Sequence, residues 1–486
     1  MSTVPSSNAA PFTYNDLVNI FGASACASLS REFQCVGIST DTRTLEPGNL
    51  FVALQGQRFD GHTHVQEALQ KGAAGAIIEN HAWTGIMDSS APLILVPSTL
   101  QALGMLGNTH RRRFSLPVIA VAGSAGKTTT KDIAAWVLSA RHVVLKTEEN
   151  FNNRIGVPLT LLQLTSEHTA AVIEIGTNAV GEIGTLAHIV APTHGIITTI
   201  GKEHLENLLS EDGVEEEETA LLRYLEQHGG TALINMNDER LQRYCNPGWI
   251  QYGLVEQSPT FDVSAYYTVH HTYSLLHIVY RDSNTMSCTA RLPHVGIIGM
   301  RNALAAAAIG FALGLDSETI CQRLESFQPK TSPEGYGRMV IEHCTFSGNR
   351  SITLINDCYN ANPTSMHAAL DTLRDYHAVR KLALLGDMLE LGSSSAYEHD
   401  TLLELLNSAE WLYVGILTGE EMQAAYTRHM KYCTSTSKLL YASSILEAVQ
   451  MLSACLHTGD VLLVKGSRAL RLERAIALLR TPAGVT

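Results

Sequence analysis

Short apolar runs alternate along this chain with segments in which apolar residues recur at every third or fourth position. The runs span residues 118–121, 170–175, 195–200 and 231–234 in the middle of the chain, and 352–355, 382–385, 412–417 and 461–464 towards its end. Runs of this length predict buried strands, and the segments between them predict helices. Strands that alternate with helices are typical of parallel sheets covered on both faces. The pattern therefore predicts an α/β fold.

Two polar segments divide the chain. Residues 107–117 end in a proline just before the 118–121 run, and residues 327–337 contain two prolines and two glycines. A chain of 486 residues should form about three domains. We predict boundaries that give an N-terminal domain at 1–112, a central domain at 113–328 and a C-terminal domain at 329–486.

The most specific chemical signal is the glycine-rich segment Gly123-Ser-Ala-Gly-Lys-Thr-Thr129, which follows the 118–121 run. Ile133, Trp136 and Val137 come after it at helical spacing, so the glycines would form a turn between a strand and the start of a helix. Backbone N–H groups at such a turn surround phosphate oxygens. We infer that the chain binds ATP or a similar nucleotide; the alternative is a glycine turn with a surface lysine.

Each residue of this turn has an expected role. Lys127 would reach the outer phosphates, and Thr128 would place its hydroxyl on Mg²⁺. Position 121 is Val where the full motif has glycine, so this is a shortened variant of the motif. The predicted ATP-binding residues of the turn are Gly123, Ser124, Ala125, Gly126, Lys127, Thr128 and Thr129.

Composition limits the partners and the compartment. The net charge of −13 argues against a nucleic-acid partner. The run Arg111-Arg112-Arg113 is interpreted as a solvated linker, with contact to an anionic substrate as the alternative.

Nine cysteines without regular spacing predict reduced thiols in a cytoplasm rather than a disulfide framework. The first ten residues lack the features of a signal peptide, and no apolar run reaches the roughly 20 residues of a membrane span. We predict a soluble cytoplasmic protein.

Motif by motif, the chain resembles the Mur ligases, the ATP-dependent amide-forming enzymes of cell-wall precursor synthesis. The resemblance covers nearly the whole chain, and its motifs are Ser39-Thr-Asp-Thr-Arg43, Asp60-Gly-His62, Gly123 to Thr129, Asn152-Asn153 with Ile155-Gly156, Glu174-Ile-Gly176, Asn178 with Gly181-Glu182-Ile183, Asn356 to Pro363, Leu385 to Gly392 and Val464 to Arg468. It implies a nucleotide-sugar-binding N-terminal α/β domain, a central P-loop-type ATPase domain with a mostly parallel sheet, and a Rossmann-like C-terminal α/β domain.

Within the family the chain is most similar to the branch that joins D-alanyl-D-alanine to a UDP-N-acetylmuramoyl-tripeptide. In that reaction ATP converts a carboxylate into an acyl phosphate, which the amine then attacks with release of ADP and phosphate. The resemblance implies Mg²⁺ as a cofactor, and domain closure about 327–337 is expected because ATP contacts would come from both sides of that segment. We expect a monomer.

The nearest rival is the branch that adds lysine or diaminopimelate as the third residue. The segments Asp357 to Pro363 and Leu385 to Met388 favour the dipeptide-adding branch, and no Asp-Asn-Pro-Arg segment is present. A folate polyglutamate synthase is disfavoured by the N-terminal uridine-type motif. A non-catalytic nucleotide-binding protein is a further alternative, disfavoured by the intact Lys127, Thr128 and Glu174.

The resemblance assigns Ser39, Asp41 and Arg43 to the uracil and diphosphate end of the nucleotide-sugar. An arginine suits this role because its planar fork can bind phosphate in a bidentate manner. By itself, an Asp-x-Arg pattern is more typical of a surface ion pair. Asn153 and Asn178 are further candidates for substrate binding.

Two residues after strands are candidate metal ligands. Glu174 closes the 170–175 run, and ligands bind at the carboxyl ends of strands in open α/β sheets. A carboxylate there suits Mg²⁺, which takes few protein ligands. His204 begins a His-Leu-Glu sequence that the family places beside a second metal; the alternative for a lone histidine is a structural or exposed position.

The C-terminal part supplies the remaining assignments. The resemblance places Arg338 on the ATP phosphates, Asp357 and Tyr359 near the ribose and adenine, and Asn302 on the adenine. The family's His-Asn pair before that asparagine is replaced here by Ile298-Gly299, so this chain departs from the family at the adenine pocket. The incoming amino substrate is assigned to Asn360, Asn362, Lys465 and Ser467, for which capping of turns is the alternative.

One departure from the family concerns a lysine about fourteen residues after the His-Leu-Glu histidine. In this branch that lysine is carbamylated and helps to hold the second Mg²⁺, whereas this chain has Glu218, at the end of four successive glutamates. Such a run is often a solvated helix face. We predict instead that Glu218 supplies the negative charge directly and acts as a metal ligand; a slip of one residue would give the role to Glu217.

Overall fold

The computed structural model describes residues 8–56, 59–82, 91–256, 260–270, 273–281, 285–293, 296–329, 331–346, 349–430 and 438–480. Three larger sheets of four, nine and six strands follow one another along the chain. The predicted boundaries at 112/113 and 328/329 fall between these sheets. The α/β class predicted from the apolar runs is confirmed, while the division into domains stays a prediction.

The N-terminal part contains a four-stranded parallel sheet in the order β3-β4-β7-β8, with two short strand pairs beside it. Its core is formed by the apolar faces of these strands and of the first and third helices. Its strands are β1 (Phe12–Thr13), β2 (Gln34–Cys35), β3 (Gly37–Ser39), β4 (Asn49–Val52), β5 (Gln55–Gly56), β6 (Phe59–Asp60), β7 (Gly75–Glu79) and β8 (Leu93–Val96). Its helices are α1 (Tyr14–Phe21), α2 (Val65–Gln70) and α3 (Thr99–Arg112).

The central part is a nine-stranded sheet in the order β10-β11-β9-β12-β13-β14-β15-β16-β17. Its strands are β9 (Val118–Ala122), β10 (Val144–Lys146), β11 (Ala170–Glu174), β12 (His194–Ile197), β13 (Thr231–Asn235), β14 (Ile250–Leu254), β15 (Val263–Val269), β16 (Tyr273–Tyr280) and β17 (Met286–Pro293). Its helices are α4 (Lys127–Leu138), α5 (Gly156–Leu161), α6 (Glu182–Val190), α7 (Leu205–Leu208), α8 (Glu211–Glu218), α9 (Ala220–His228), α10 (Gly296–Ala312) and α11 (Ser317–Ser326).

The first seven strands of this sheet are parallel, whereas β15, β16 and β17 pair antiparallel. The mostly parallel sheet predicted for this domain is therefore confirmed for the strands around the glycine-rich turn. The antiparallel extension lies at the other edge of the sheet. Strand β9 lies between β11 and β12, so the residues that follow these three strands meet at one sheet edge.

The C-terminal part is a six-stranded sheet in the order β18-β19-β23-β20-β21-β22, parallel except for the first pair. Its strands are β18 (Val340–Phe346), β19 (Arg350–Asp357), β20 (Lys381–Gly386), β21 (Val414–Thr418), β22 (Leu439–Ala442) and β23 (Val461–Lys465). Its helices are α12 (Pro363–Asp375), α13 (Ser395–Ser408), α14 (Glu420–Met430), α15 (Ile445–Cys455) and α16 (Glu473–Arg480). Helices α12 and α13 pack into a core that is shared with the central part.

Arg111 is not part of a solvated linker, and the interpretation of the arginine run is wrong at this position. Helix α3 continues through Arg112, and the Arg111 side chain is buried. Its guanidinium donates hydrogen bonds to the carbonyls of Val190 and Ala191 at 3.1 Å each and of Phe114 at 2.9 Å. The end of α6 leaves carbonyls without partners, and a cation there is favourable. Arg111 therefore fastens the N-terminal part to the central sheet.

Replacing Arg111 with Met should lower the free energy of unfolding by about 2–4 kcal/mol, because three carbonyls would lose a charged donor. Urea unfolding of the two proteins would measure the difference. Arg112→Met is the matched control, since Arg112 is exposed and donates to the side chain of Asn108 on the same helix; it should change the value by no more than about 0.5 kcal/mol. Equal effects of the two changes would refute this role for Arg111.

The prediction of uniformly reduced cysteines is wrong for one pair. Cys288 on β17 and Cys321 on α11 form a disulfide, with their Cα atoms 6.4 Å apart. The other described cysteines, Cys26, Cys35, Cys245, Cys344, Cys358 and Cys455, are free, and Cys433 lies outside the described residues. The pair is separated by 33 residues and meets only because α11 packs across β17, which cysteine spacing does not reveal.

Within the described ranges, no helix is both long enough and apolar enough to cross a membrane.

Candidate active site

The glycine-rich turn joins β9 to α4 and needs glycine at two positions. Gly123 has a φ of 116° and Gly126 a φ of 84°, values that favour glycine. A Cβ atom on Gly123 would lie 2.4 Å from the hydroxyl of Thr198, and one on Gly126 would lie 2.5 Å from the amide oxygen of Asn302. The turn therefore packs tightly against β12 and α10 and presents its backbone at the start of α4.

Lys127 is the first residue of α4 and lies among carboxylates. Its ammonium is 3.2 Å from the Glu203 carboxylate, and both side chains are nearly buried. Burial alone would lower the pKa of Lys127, but the carboxylates of Glu203, Glu218 and Glu174 raise it above the ordinary value. A fixed positive charge thus lies at the helix N-terminus where phosphate binds.

Glu218 lies directly behind the turn, at the end of α8. Its side chain is fully buried, and one carboxylate oxygen accepts a hydrogen bond from the N–H of Gly123 at 2.9 Å. The pKa of Glu218 is raised to about 8, mainly by burial and in part by neighbouring Glu203, while the Lys127 ammonium opposes the rise. The solvated-face alternative is wrong for this residue.

Glu217, the neighbour of Glu218, bonds the start of helix α6 instead of the glycine-rich turn. Its carboxylate accepts hydrogen bonds from the N–H groups of Gly181 at 2.6 Å and Ile183 at 2.7 Å, and from the hydroxyl of Thr177 at 3.2 Å. It thereby caps the start of α6, where free N–H groups need acceptors. Of the two candidates offered by the sequence, only Glu218 contacts the glycine-rich turn.

Among the described residues, several buried oxygens around the turn have no hydrogen-bond partner. They are Oγ1 of Thr128, Oε2 of Glu174, Oε1 of Glu203 and Oε1 of Glu218. The other oxygen of Glu174 accepts a hydrogen bond from Asn152 at 2.8 Å. Buried oxygens of this kind need partners, and hydroxyl and carboxylate oxygens are the donor atoms that Mg²⁺ prefers. The residues present therefore fit a magnesium ion.

Among the described residues, no three His, Cys, Asp or Glu side chains form a cluster that could hold a metal by themselves. Mg²⁺ is commonly bound through one or two carboxylates together with water and substrate phosphates. The arrangement around Thr128 and Glu174 is of this open kind.

His204 connects the central sheet to the C-terminal part. Its Nδ1 lies 2.7 Å from the carboxylate of Glu390, which belongs to the loop after β20, and its Nε2 lies 3.9 Å from Glu203. The residue has a φ of 48°, a strained conformation for a residue with a side chain. Nε2 therefore faces the carboxylates near Lys127 while Nδ1 is held by Glu390.

Arg338 and Tyr359 come from the C-terminal part and stack on each other. The guanidinium carbon of Arg338 lies 3.5 Å from the centre of the Tyr359 ring. The centre of the Tyr336 ring lies 5.1 Å from that of Tyr359. The guanidinium carbon of Arg468 lies 4.3 Å from the centre of the Tyr336 ring. This alternation of cations and rings stabilises the position of Arg338.

Asp357 and Lys465 form a nearly buried ion pair at the ends of β19 and β23. Their charged atoms are 2.6 Å apart, and Lys465 also donates to the carbonyl of Asn360 at 2.9 Å. Asp357 in addition accepts the N–H of Met339 at 2.9 Å, next to Arg338. Lys465 therefore combines a positive charge with a fixed position at the C-terminal wall of the cavity described next.

A cavity of about 410 Å³ lies between the central and C-terminal sheets. One end is apolar and is lined by Ile133, Leu292, Pro293, Ile298, Ala303, Leu324, Phe327 and Pro329. The charged or titratable part of the lining consists of Lys127, Glu174, Glu203, His204, Arg338, Asp357, Glu390 and Lys465. Asn362 links the two walls, because its side-chain amide donates to the carbonyl of Ser124 at 3.3 Å. A flat base at the apolar end would leave its phosphates near the turn.

Most of the predicted residues line this cavity. From the central part they are Ser124, Ala125, Gly126, Lys127, Thr128, Thr129, Asn153, Glu174, Asn178, His204 and Asn302, and from the C-terminal part Arg338, Asp357, Tyr359, Asn360, Asn362 and Lys465. The sequence assigned these residues one by one, and the fold brings them to one place.

The other predicted residues lie elsewhere. Gly123 belongs to the turn but does not line the cavity, and Glu218 lies behind the turn, bonded to the Gly123 N–H. The hydroxyl of Ser467 accepts the N–H of Leu389 at 2.9 Å rather than lining the cavity. Ser39 is the last residue of β3 in the N-terminal part, and Asp41 and Arg43 follow it. There the exposed Arg43 makes a two-pronged ion pair with Asp41, the surface pairing that the pattern alone suggests.

Sequence reasoning missed Glu203 and Glu390. Glu203 is an acid that follows β12, beside the glycine-rich turn, so its position at a strand end was a usable signal. Glu390 lies in a recognised motif, but its contact with His204 requires two distant segments to meet.

Comparisons with known proteins agree with this geometry. Three family models match: "Mur ligase family, catalytic domain" at 34–111, "Mur ligase middle domain" at 121–310, and "Mur ligase, glutamate ligase domain" at 337–468. The UDP-N-acetylmuramoyl-tripeptide–D-alanyl-D-alanine ligase of Treponema pallidum is 34% identical over 476 residues, which is 94% of this chain and 96% of the relative.

Solved structures give the same picture. MurF from Acinetobacter baumannii matches with a TM-score of 0.83 and 30% identity, covering 98% of this chain and 100% of that one. MurF ligase from Thermotoga maritima, solved in complex with ADP, matches with a TM-score of 0.77 and 25% identity, covering 91% of this chain and 96% of that one.

Proposed function

The chain belongs to the Mur ligase family, and we propose that it joins D-alanyl-D-alanine to a UDP-N-acetylmuramoyl-tripeptide with ATP in peptidoglycan precursor synthesis. The observation that carries this proposal is the cavity in which the turn of the central sheet faces Arg338, Asp357 and Lys465. A ligase of this kind must hold a nucleotide and two further substrates at one place. Charged groups from two sheets around one cavity provide such a place.

ATP would bind with its base at the apolar end and its phosphates at the turn. The start of α4 offers backbone N–H groups, and Lys127 and Arg338 add positive charge from the two walls. Transfer of a phosphoryl group depends on alignment and charge neutralisation more than on covalent chemistry by the protein. These residues therefore have the chemistry that the transfer needs.

We assign Mg²⁺ to Thr128 and Glu174, with His204 and Glu218 as the ligands proposed for a second ion. The unpartnered oxygens of Thr128, Glu174 and Glu218 support this assignment. When bound, Mg²⁺ neutralises phosphate charge and orients phosphate oxygens. Glu174 is in turn positioned by the amide of Asn152, which bonds one of its oxygens, so the second oxygen would be available to hold the cation.

In the proposed reaction, the C-terminal carboxylate of the tripeptide attacks the γ-phosphorus of ATP and ADP leaves. The acyl phosphate that results is then attacked by the neutral amine of D-alanyl-D-alanine, phosphate leaves and an amide forms. We assign the dipeptide to the wall of Asn360, Asn362 and Lys465, where the Lys465 ammonium can face its carboxylate. Ser467 supports that wall from behind through its bond to Leu389.

We assign the nucleotide end of the muramoyl substrate to Ser39, Asp41 and Arg43, at the carboxyl end of β3. Asn153 and Asn178, which line the cavity, are assigned to the reacting end of the same substrate. Because ATP and a UDP-linked precursor are cytoplasmic metabolites, we place the reaction in the cytoplasm.

The amine that is used tests the proposal. With UDP-N-acetylmuramoyl-tripeptide and ATP, D-alanyl-D-alanine should give ADP release far faster than lysine, diaminopimelate or glutamate. Mass spectrometry should find the pentapeptide product, with the mass of the tripeptide substrate increased by one dipeptide less one water. If a single amino acid on a UDP-N-acetylmuramoyl-dipeptide outperforms the dipeptide, the third-residue ligase replaces this proposal. ADP release without any product of either kind would contradict both.

A further inference from the structure

The loop after β12 contacts both walls of the cavity with three consecutive side chains. Glu203 pairs with Lys127 of the glycine-rich turn. The residues on either side of it, Lys202 and His204, pair with Glu398 and Glu390 of the C-terminal part. One short segment thus joins the phosphate-binding end of α4 to the opposite wall.

Lys202 and Glu398 form the shorter of the two pairs that cross between the walls. Their charged atoms are 2.6 Å apart, and Glu398 on α13 is nearly buried while Lys202 is about one-third exposed. The hydrogen bond with Glu398 raises the pKa of Lys202. The ring of Tyr397 lies 5.8 Å from the same ammonium. The Lys202 charge is therefore held at the boundary by groups of the C-terminal part.

The backbone at this boundary is also closely packed. A Cβ atom on Gly201 would lie 2.5 Å from the hydroxyl of Thr364 on α12, and the N–H of Glu206 donates to the carbonyl of Glu390 at 3.3 Å. The absent side chain of Gly201 and this backbone bond thus allow the loop to sit directly on α12 and on the loop after β20. The arrangement brings Arg338, Asp357 and Lys465 within reach of the glycine-rich turn.

We propose that the Lys202–Glu398 ion pair is a latch that holds the central and C-terminal domains closed around the cavity. It makes Lys202 and Glu398 positioning residues, because they act through Arg338, Asp357 and Lys465 of the C-terminal wall. The proposal rests on the ligase function proposed above and assigns a role to two residues that the reaction itself does not use.

The latch works through desolvation. In the closed arrangement Glu398 is buried and needs its cationic partner, and removing one member of a buried pair leaves an uncompensated charge. Opening the domains would return Glu398 to water and remove that cost. Loss of Lys202 therefore raises the free energy of the closed arrangement but not that of the open one. Because fewer molecules are then closed, the apparent affinity for substrates falls in proportion.

Lys202→Met should raise the KM values for ATP and D-alanyl-D-alanine about tenfold, because substrates would have to close the domains against an uncompensated Glu398. Small-angle X-ray scattering should show a larger radius of gyration than that of the wild-type chain. The melting temperature should stay near the wild-type value, since opening relieves the penalty without unfolding.

The double variant Lys202→Met with Glu398→Gln should recover much of the lost affinity, because it removes the uncompensated charge. The exchange Lys202→Glu with Glu398→Lys should recover it as well. Asp400→Asn is the matched control: Asp400 lies on the same helix and pairs with Arg428 of the same domain at 2.9 Å, so KM values and scattering should not change.

Wild-type KM values and scattering in Lys202→Met would overturn the latch while leaving the ligase function intact. A larger KM without recovery in either double variant would also overturn it, since the effect would then not come from the ion pair. If the wild-type chain forms no product with D-alanyl-D-alanine, the ligase proposal fails, and scattering by the same variants still tests the latch.

Discussion

Lys127→Ala should leave the protein folded and reduce ligation at least a hundredfold. Lys127 is the first residue of α4 and lies at the cavity wall, where its ammonium would meet a phosphate bound at the helix N-terminus. Loss of one preorganised charge of this kind costs about 3 kcal/mol of transition-state stabilisation, and each 1.4 kcal/mol is a factor of ten. Removal of the ammonium would also leave Glu203, Glu218 and Glu174 without their shared cation. ADP release under saturating substrates measures the loss.

Lys146→Ala is a suitable control for this variant. Lys146, on β10, also forms an ion pair, at 2.7 Å from Asp132, but lies outside the cavity lining. Its replacement should leave turnover within about twofold of the wild-type value, and circular dichroism should report the same helix content for both variants. Turnover in Lys127→Ala close to that of the control would defeat the assignment of the turn.

The apolar runs predict the fold well where strands are short, buried and parallel. The runs at 118–121, 170–175 and 231–234 correspond to β9, β11 and β13, because a strand covered on both faces is apolar at every position. The same logic does not find β16 and β17, in which more buried and more exposed residues alternate in the antiparallel extension. The run at 195–200 overestimates β12, which ends at Ile197 before the loop that meets the C-terminal part.

Candidate site residues could be found from the sequence where one segment carries the chemistry by itself. The glycine-rich turn is such a segment, and so is the strand that ends in Glu174. Contacts between distant segments could not be found this way: Glu390 approaches His204 only when two sheets meet, and Arg111 reaches the end of α6 only when α3 packs on it. Both depend on tertiary packing, which neither periodicity nor spacing encodes.

Glu218→Ala should reduce ligation about a hundredfold or more, and the activity of the wild-type chain should not depend on bicarbonate. The buried Glu218 bonds the turn through one oxygen and leaves the other unpartnered beside Lys127 and Glu203. The carboxyl group of Glu218 needs no carbon dioxide to form, and a bound Mg²⁺ would favour its ionised form against the burial that raises its pKa. ADP release in bicarbonate-depleted and bicarbonate-supplemented buffer, at several Mg²⁺ concentrations, measures both effects.

Two further variants separate the charge of Glu218 from its contact with the turn. Glu218→Gln keeps an oxygen that can accept the N–H of Gly123 but removes the charge, so it should lose activity and require more Mg²⁺ if the carboxylate serves the metal. Glu218→Lys restores the residue type of the related enzymes, and bicarbonate should then recover part of its activity by carbamylation. Full activity in Glu218→Gln would show that Glu218 only supports the turn. Strong bicarbonate dependence of the wild-type chain would contradict the proposal outright, because no lysine stands where the carbamate would have to form.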